Sequence, residues 1–211
     1  LFTDQERQKI DRLRLEYQER VNAIRADKRY TPEGKRAAIA REYMRVDAGV
    51  RRIVEAAQKR RDDRIRTLQQ RLFSAPGGND PAAVLSFRDA MDRAERVRDA
   101  TEAAALLDRA VRTNDVALQR AVLDRAFRAA QSDPFGHRGP WVGLLDRYRE
   151  MVPSMGDDIA ELAELTGAGR KPGMTQFWDN VRSRTELPSE LAHLPNDQIA
   201  ALAARAPSEA A

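Results

Sequence analysis

No proline falls between Pro32 and Pro76, and across that interval apolar side chains recur at spacings of three and four. Ile39, Tyr43, Val46, Val50, Ile53 and Ala57 make one stripe, which after a small drift continues through Ile65, Leu68 and Leu72. A stripe of that period reaches one face only on a helix, and proline is the residue that would have broken it. The interval predicts a single helix from Pro32 to about Phe73, roughly 63 Å long at about 1.5 Å per residue. A helix of that length outruns any ordinary neighbour, so the fold depends on what covers its far end.

A shorter helix precedes it. Thr3 and Glu6 have the spacing of a capping box, which starts a helix near Asp4. Ile10, Leu13, Tyr17, Val21 and Ile24 share one face, and the run ends around Lys28 to Tyr30. Thr31 then serves as N-cap and Pro32 takes the first helical position, where its missing N–H costs nothing. So short a break predicts an antiparallel hairpin that sets Ile24 by Ala37 and Ala38, Tyr17 by Tyr43 and Met44, and Ile10 by Ile53. The first helix, roughly 39 Å long, runs out with about 16 residues of the second remaining, at about 58–73. Ile65, Leu68, Leu72 and Phe73 on this overhang need cover from the C-terminal body or from a second copy. They are candidate partner-binding residues, and a homo-oligomer is the expectation. Two helices alone are marginal in water, which argues separately for a third component.

Ser74-Ala-Pro-Gly-Gly-Asn79 reads as a linker, and Asp80-Pro81 opens a helix at about 81–98 with Val84, Phe87, Met91 and Ala94 on one face. Asp99 with Glu102 makes a second capping box. Asn114 or Asp115 opens a helix through Leu118, Val122, Ala126 and Phe127. Pro140 starts another through Trp141, Leu144, Leu145 and Tyr148, which Pro153 ends, and a short one from about Asp157 stops at Gly167. No period-two alternation bounded by turn residues occurs, so no strand is predicted. The fold class is all-α: a long antiparallel helical hairpin, a small helical bundle and a loosely structured C-terminal tail. The expected domains are a basic hairpin arm at 1–73, a bundle body at 80–166 and a flexible tail with short helices at 167–211.

Little in the chain points to catalysis. Cysteine is absent, which excludes disulfides and thiolate metal sites. His137 and His193 lie in separate loops without metal-ligand spacing, so no metal and no cofactor is expected. Asp62-Asp63 and Asp157-Asp158 are adjacent on helices and point about 100° apart, so neither doublet converges on one site. Gly167-Ala-Gly-Arg-Lys-Pro-Gly173 lacks the Gly-Lys-Ser/Thr ending of a phosphate loop, and no Gly-x-Ser-x-Gly elbow appears. No catalytic residue is assigned and a non-enzymatic class is expected. No run of about 18 apolar residues offers a membrane span, so no membrane partner is expected either.

Charge is distributed unevenly. Residues 1–73 hold 20 Lys+Arg against 12 Asp+Glu, and the remainder holds 17 against 21. Lys59, Arg60, Arg61, Arg64, Arg66 and Arg71 cluster on the overhang, and Arg60, Arg64 and Arg71 can share a face. Such a face could neutralise phosphates, which makes sequence-nonspecific nucleic-acid binding the alternative function. The competing reading is a solvated face laced with ion pairs, and no aromatic residues interleave the basic ones for base stacking. Phe177-Trp178 lies in a Gly/Pro-flanked stretch, where bulky aromatics are candidate anchors in a partner's groove.

Three stretches carry a family resemblance: Tyr17-Gln-Glu-Arg-Val-Asn-Ala-Ile-Arg-Ala-Asp-Lys-Arg-Tyr-Thr-Pro-Glu-Gly-Lys-Arg36, Asp80-Pro-Ala-Ala-Val-Leu-Ser-Phe-Arg-Asp-Ala-Met91, and Glu186-Leu-Pro-Ser-Glu-Leu191 followed by Gln198-Ile-Ala-Ala-Leu202. Their layout resembles that of helical virion-structure and head-assembly proteins of tailed phages that infect actinobacteria. The resemblance implies a phage structural or assembly component, at the head or the head–tail junction. Its partners would be other virion or assembly proteins, and its location the virion or the host cytoplasm. It implies no functional residue.

Overall fold

The computed structural model describes residues 2–78, 80–132, 139–167, 179 and 181–205. The fold is all-α, with no β-strand among the described residues. The helices are α1 (Asp4–Ala26), α2 (Pro32–Phe73), α3 (Pro81–Glu95), α4 (Ala100–Arg112), α5 (Val116–Gln131), α6 (Pro140–Met151), α7 (Gly156–Thr166) and α8 (Asn196–Ala203). Single 3-10 turns lie at Pro153–Met155 and Ser189–Leu191.

Local chemistry sets most of these ends. The Thr3–Glu6 box closes in both directions: Glu6 N–H donates to Thr3 Oγ1 at 3.3 Å, and Thr3 N–H to Glu6 Oε2 at 2.9 Å. Thr31 Oγ1 accepts from Gly34 N–H at 3.0 Å and starts α2, which runs unbroken to Phe73. Asp99 Oδ1 accepts from Thr101 and Glu102 N–H, but the Glu102 carboxylate reaches Arg98 N–H instead of the cap's own. The chain turns there, and α3 stops at Glu95, short of the expected residue 98. Asp115 caps α5 through Leu118 N–H at 2.9 Å, while Asn114 makes the turn with φ 52°, a region asparagine tolerates better than most residues.

Contacts divide the chain into two units, residues 1–60 with 174–211 and residues 61–173, and the division falls inside α2. The expected domain limits at 73, 80 and 166 do not survive. In the first unit α1 and the N-terminal part of α2 are antiparallel. Glu6 meets Arg60 at 2.7 Å, Arg20 meets Glu42 at 3.6 Å, and Lys35 Nζ donates to Arg25 O at 2.6 Å, so numbers rise along one helix as they fall along the other. Ile10, Tyr17 and Ile24 join Tyr43, Met44 and Ile53 in one apolar cluster. The hairpin's third component belongs to the chain itself. Leu191 and Ile199 are fully buried in that same cluster, with Leu187, Leu194 and Leu202 beside them. The described C-terminal residues are therefore a folded part of the hairpin unit, which corrects the loosely structured tail. Burying a leucine or isoleucine contributes about 1.5–3 kcal/mol each toward seating this segment on the hairpin.

In the second unit α5 is the central helix and contacts α3, α4 and α6. Its Leu118, Val122 and Phe127 are buried with Leu107 of α4 and Leu144 and Tyr148 of α6. On α3 the buried face is Ala90 and Ala94, with Phe87 and Met91 partly covered, while Val84 is exposed. The end of α2 lies in this core. Leu68 and Leu72 are fully buried, and the rings of Phe73 and Phe127 sit 5.7 Å apart.

Candidate functional site

A groove of about 1110 Å³ lies in the first unit. One wall is a face of α1 bearing Arg14, Tyr17, Gln18, Val21, Asn22 and Arg25, which helical spacing lines up. The other is Val181 and residues 184–189, where residues 185–188 have no helix, turn or bend and Pro188 is extended ahead of the 3-10 turn. Arginines span the two walls. Arg14 donates to the carbonyls of Val181 and Arg182, at 3.2 Å each, and to that of Arg184. Arg25 grips Glu190 with two bonds of 2.7 and 2.9 Å. That grip, helped by hydrogen bonds from the Glu190 N–H and Ser189, pulls the Glu190 carboxyl down to about 2 against the opposing effect of burial.

Nearer the start of α1, Arg7 Nε binds Asp179 at 3.1 Å and Phe2 N–H donates to the same carboxylate at 3.3 Å. Asp179 is buried, which by itself would raise its pKa, yet these hydrogen bonds hold it below the usual carboxylate range. Two groove residues lack hydrogen-bond partners among the described residues: the buried hydroxyl of Tyr17 and the buried Oγ1 of Thr185. Burial raises the Tyr17 pKa, and nearby Tyr43 adds to the shift.

The residues singled out from sequence fall elsewhere. Ile65, Leu68, Leu72 and Phe73 belong to the core of the second unit, so they are not a partner-binding stripe. The chain's own helices cover the overhang, and the reason for expecting a homo-oligomer goes with it. The basic cluster is corrected as well, since five of its six cations are engaged. Arg60 pairs with Glu6, Arg66 with Asp63 at 2.9 Å, and Arg71 with Asp158 at 2.9 Å. Arg64 bonds Glu161 at 2.7 Å, and Arg61 donates to Leu165 O at 2.6 and 3.0 Å, capping the end of α7. Lys59 is exposed. Three of these arginines thus clamp α7 onto α2 and do not form an open cationic face. Phe177 and Trp178 lie outside the described residues, as does His137. His193 is exposed, and no cluster of three His, Asp or Glu among the described residues could hold a metal.

The groove was not singled out from sequence as a site, although Tyr17 and Val21 were placed on the apolar face of the first helix. A signal existed in Leu187, Leu191 and Leu194, spaced four and three apart like a stripe that needs cover. Comparison of the chain with family models, curated proteins and solved structures finds no match.

Proposed function

We propose that the chain is a non-enzymatic structural or assembly protein of a tailed-phage particle, at the head or head–tail junction, working through helical protein–protein contacts. One observation carries the contact part of this reading. The chain holds a mixed polar and apolar groove beside a helix, the kind of surface that accommodates a polypeptide. The virion setting is supported by the resemblance of the three sequence stretches. Mass spectrometry of particles and assembly intermediates purified from the source culture tests it. The chain should be recovered in one or the other, and absence from both would overturn the assignment.

Nucleic-acid binding is the weaker alternative. Exposed Lys59 and the +4 net charge support it, whereas the arginines it needs are held by carboxylates and a helix end. A filter-binding titration against salt separates the two, because phosphate neutralisation gives a steep linear loss of affinity with log salt. Under the assembly reading no such slope appears at physiological salt.

A further inference from the structure

Residues 185–187 line the groove without helix, turn or bend and lead into Pro188, which is extended at φ −63° and ψ 151°, and the main-chain N–H and C=O groups of 185–187 make no hydrogen bond to any described residue. An extended segment with unpaired main-chain groups is a template for another strand, repeating at about 3.3 Å per residue. Beside it, the hydroxyls of Tyr17 and Thr185 are shut off from water and unpartnered among the described residues, which is unfavourable until something supplies a donor or acceptor. The electrostatics are one-sided. Arg14 is held by carbonyls alone and Arg184 is exposed without a carboxylate partner among the described residues; Glu190 neutralises Arg25, and Glu186 is the lone acid among the described lining residues.

We propose that this groove takes an extended acidic segment of a partner protein, which pairs main chain to main chain with residues 185–187. Its alternating N–H and C=O groups meet the unpaired groups of the wall, and its carboxylates face Arg14 and Arg184. A small movement of the Tyr17 and Thr185 side chains brings their hydroxyls within reach of the added strand. The inference deepens the contact part of the function proposed above and rests on it, but it does not depend on the virion setting.

The test uses the full chain and a panel of fluorescein-labelled ten-residue peptides. Alternate positions are Glu and the others are varied over Val, Ile, Thr, Phe and Tyr; matched panels carry Lys or Gln in place of Glu. Fluorescence anisotropy should show saturable binding for members of the Glu panel. N-methylating alternate amides of a binder should weaken it at least about tenfold, because the main-chain donors are lost while the side chains remain. Arg184→Glu should weaken binding about fivefold, and Glu186→Pro, which removes one wall donor, should weaken it by a similar factor relative to Glu186→Gln, which removes the same charge and keeps the donor. Hydrogen exchange should show new protection at the amides of residues 185–187. No binder in the Glu panel, equal binding of the Lys panel, indifference to N-methylation, or protection confined to other residues would each overturn the proposal. Recovery of the chain in particles alongside a silent panel would leave the assembly reading standing and remove this one.

Discussion

At Gly49, in the middle of α2, an added methyl would meet Leu13 Cδ1 at 3.3 Å. The neighbour is the tip of a partly exposed leucine, which can yield by a few tenths of an ångström. Glycine inside a helix costs about 1 kcal/mol relative to alanine, so Gly49→Ala should stabilise the chain by about 0.5 kcal/mol in urea denaturation. A loss of stability would mean that the two helices are closer and less forgiving than described.

Glu190 bears on pH. Its folded pKa is depressed to about 2 from a model-compound value of 4.5, so its contribution is present above about pH 4.5 and is lost as pH falls through about 2. Glu6, Glu161 and Asp179 are shifted the same way. Glu190→Gln should therefore reduce, without abolishing, the fall in stability below pH 4.5, as read by denaturation midpoints across that range. At this scale the legible features were local ones. Thr3 and Glu6 announce a cap because they are three residues apart, whereas the hairpin register that sets Ile10 by Ile53 brings Glu6 only to within about a turn of Arg60 and does not name the pair, 54 positions apart.

Among the elements, α2 was readable almost to its last residue, since proline at its start and an uninterrupted stripe are enough. That its start packs on α1 was readable from the short turn, but whether the C-terminal body or a second copy covers its far end was not, because a stripe specifies that cover is needed and not who supplies it. Leu191→Ala in the short C-terminal segment should cost about 3 kcal/mol, the usual penalty for a buried leucine. A loss below about 1 kcal/mol would show that the segment is not seated on the hairpin. Leu68→Ala should cost a similar amount through the core of the second unit, and far-UV circular dichroism against denaturant measures both. A change in oligomeric state without loss of stability would instead restore the view of Leu68 as a partner contact.

For the molecule as a whole, an all-α class followed from the periodicities, but the division of the chain did not. Residues 174–211 return to the first unit across more than a hundred intervening residues, and such long-range pairing leaves no local mark in one sequence. The return also redistributes charge. The first unit holds 19 Lys+Arg against 15 Asp+Glu and the second holds 18 of each, so the chain's entire surplus lies on the unit with the groove. The fold of the first unit rests on the described C-terminal residues completing the hairpin core. Native-state hydrogen exchange on the full chain reads this directly, because the amides of Leu191, Leu194 and Ile199 are hydrogen-bonded. They should be protected and should lose protection together with Val46 and Val50 as denaturant rises. Free exchange at those three positions while Val46 and Val50 stay protected would contradict it.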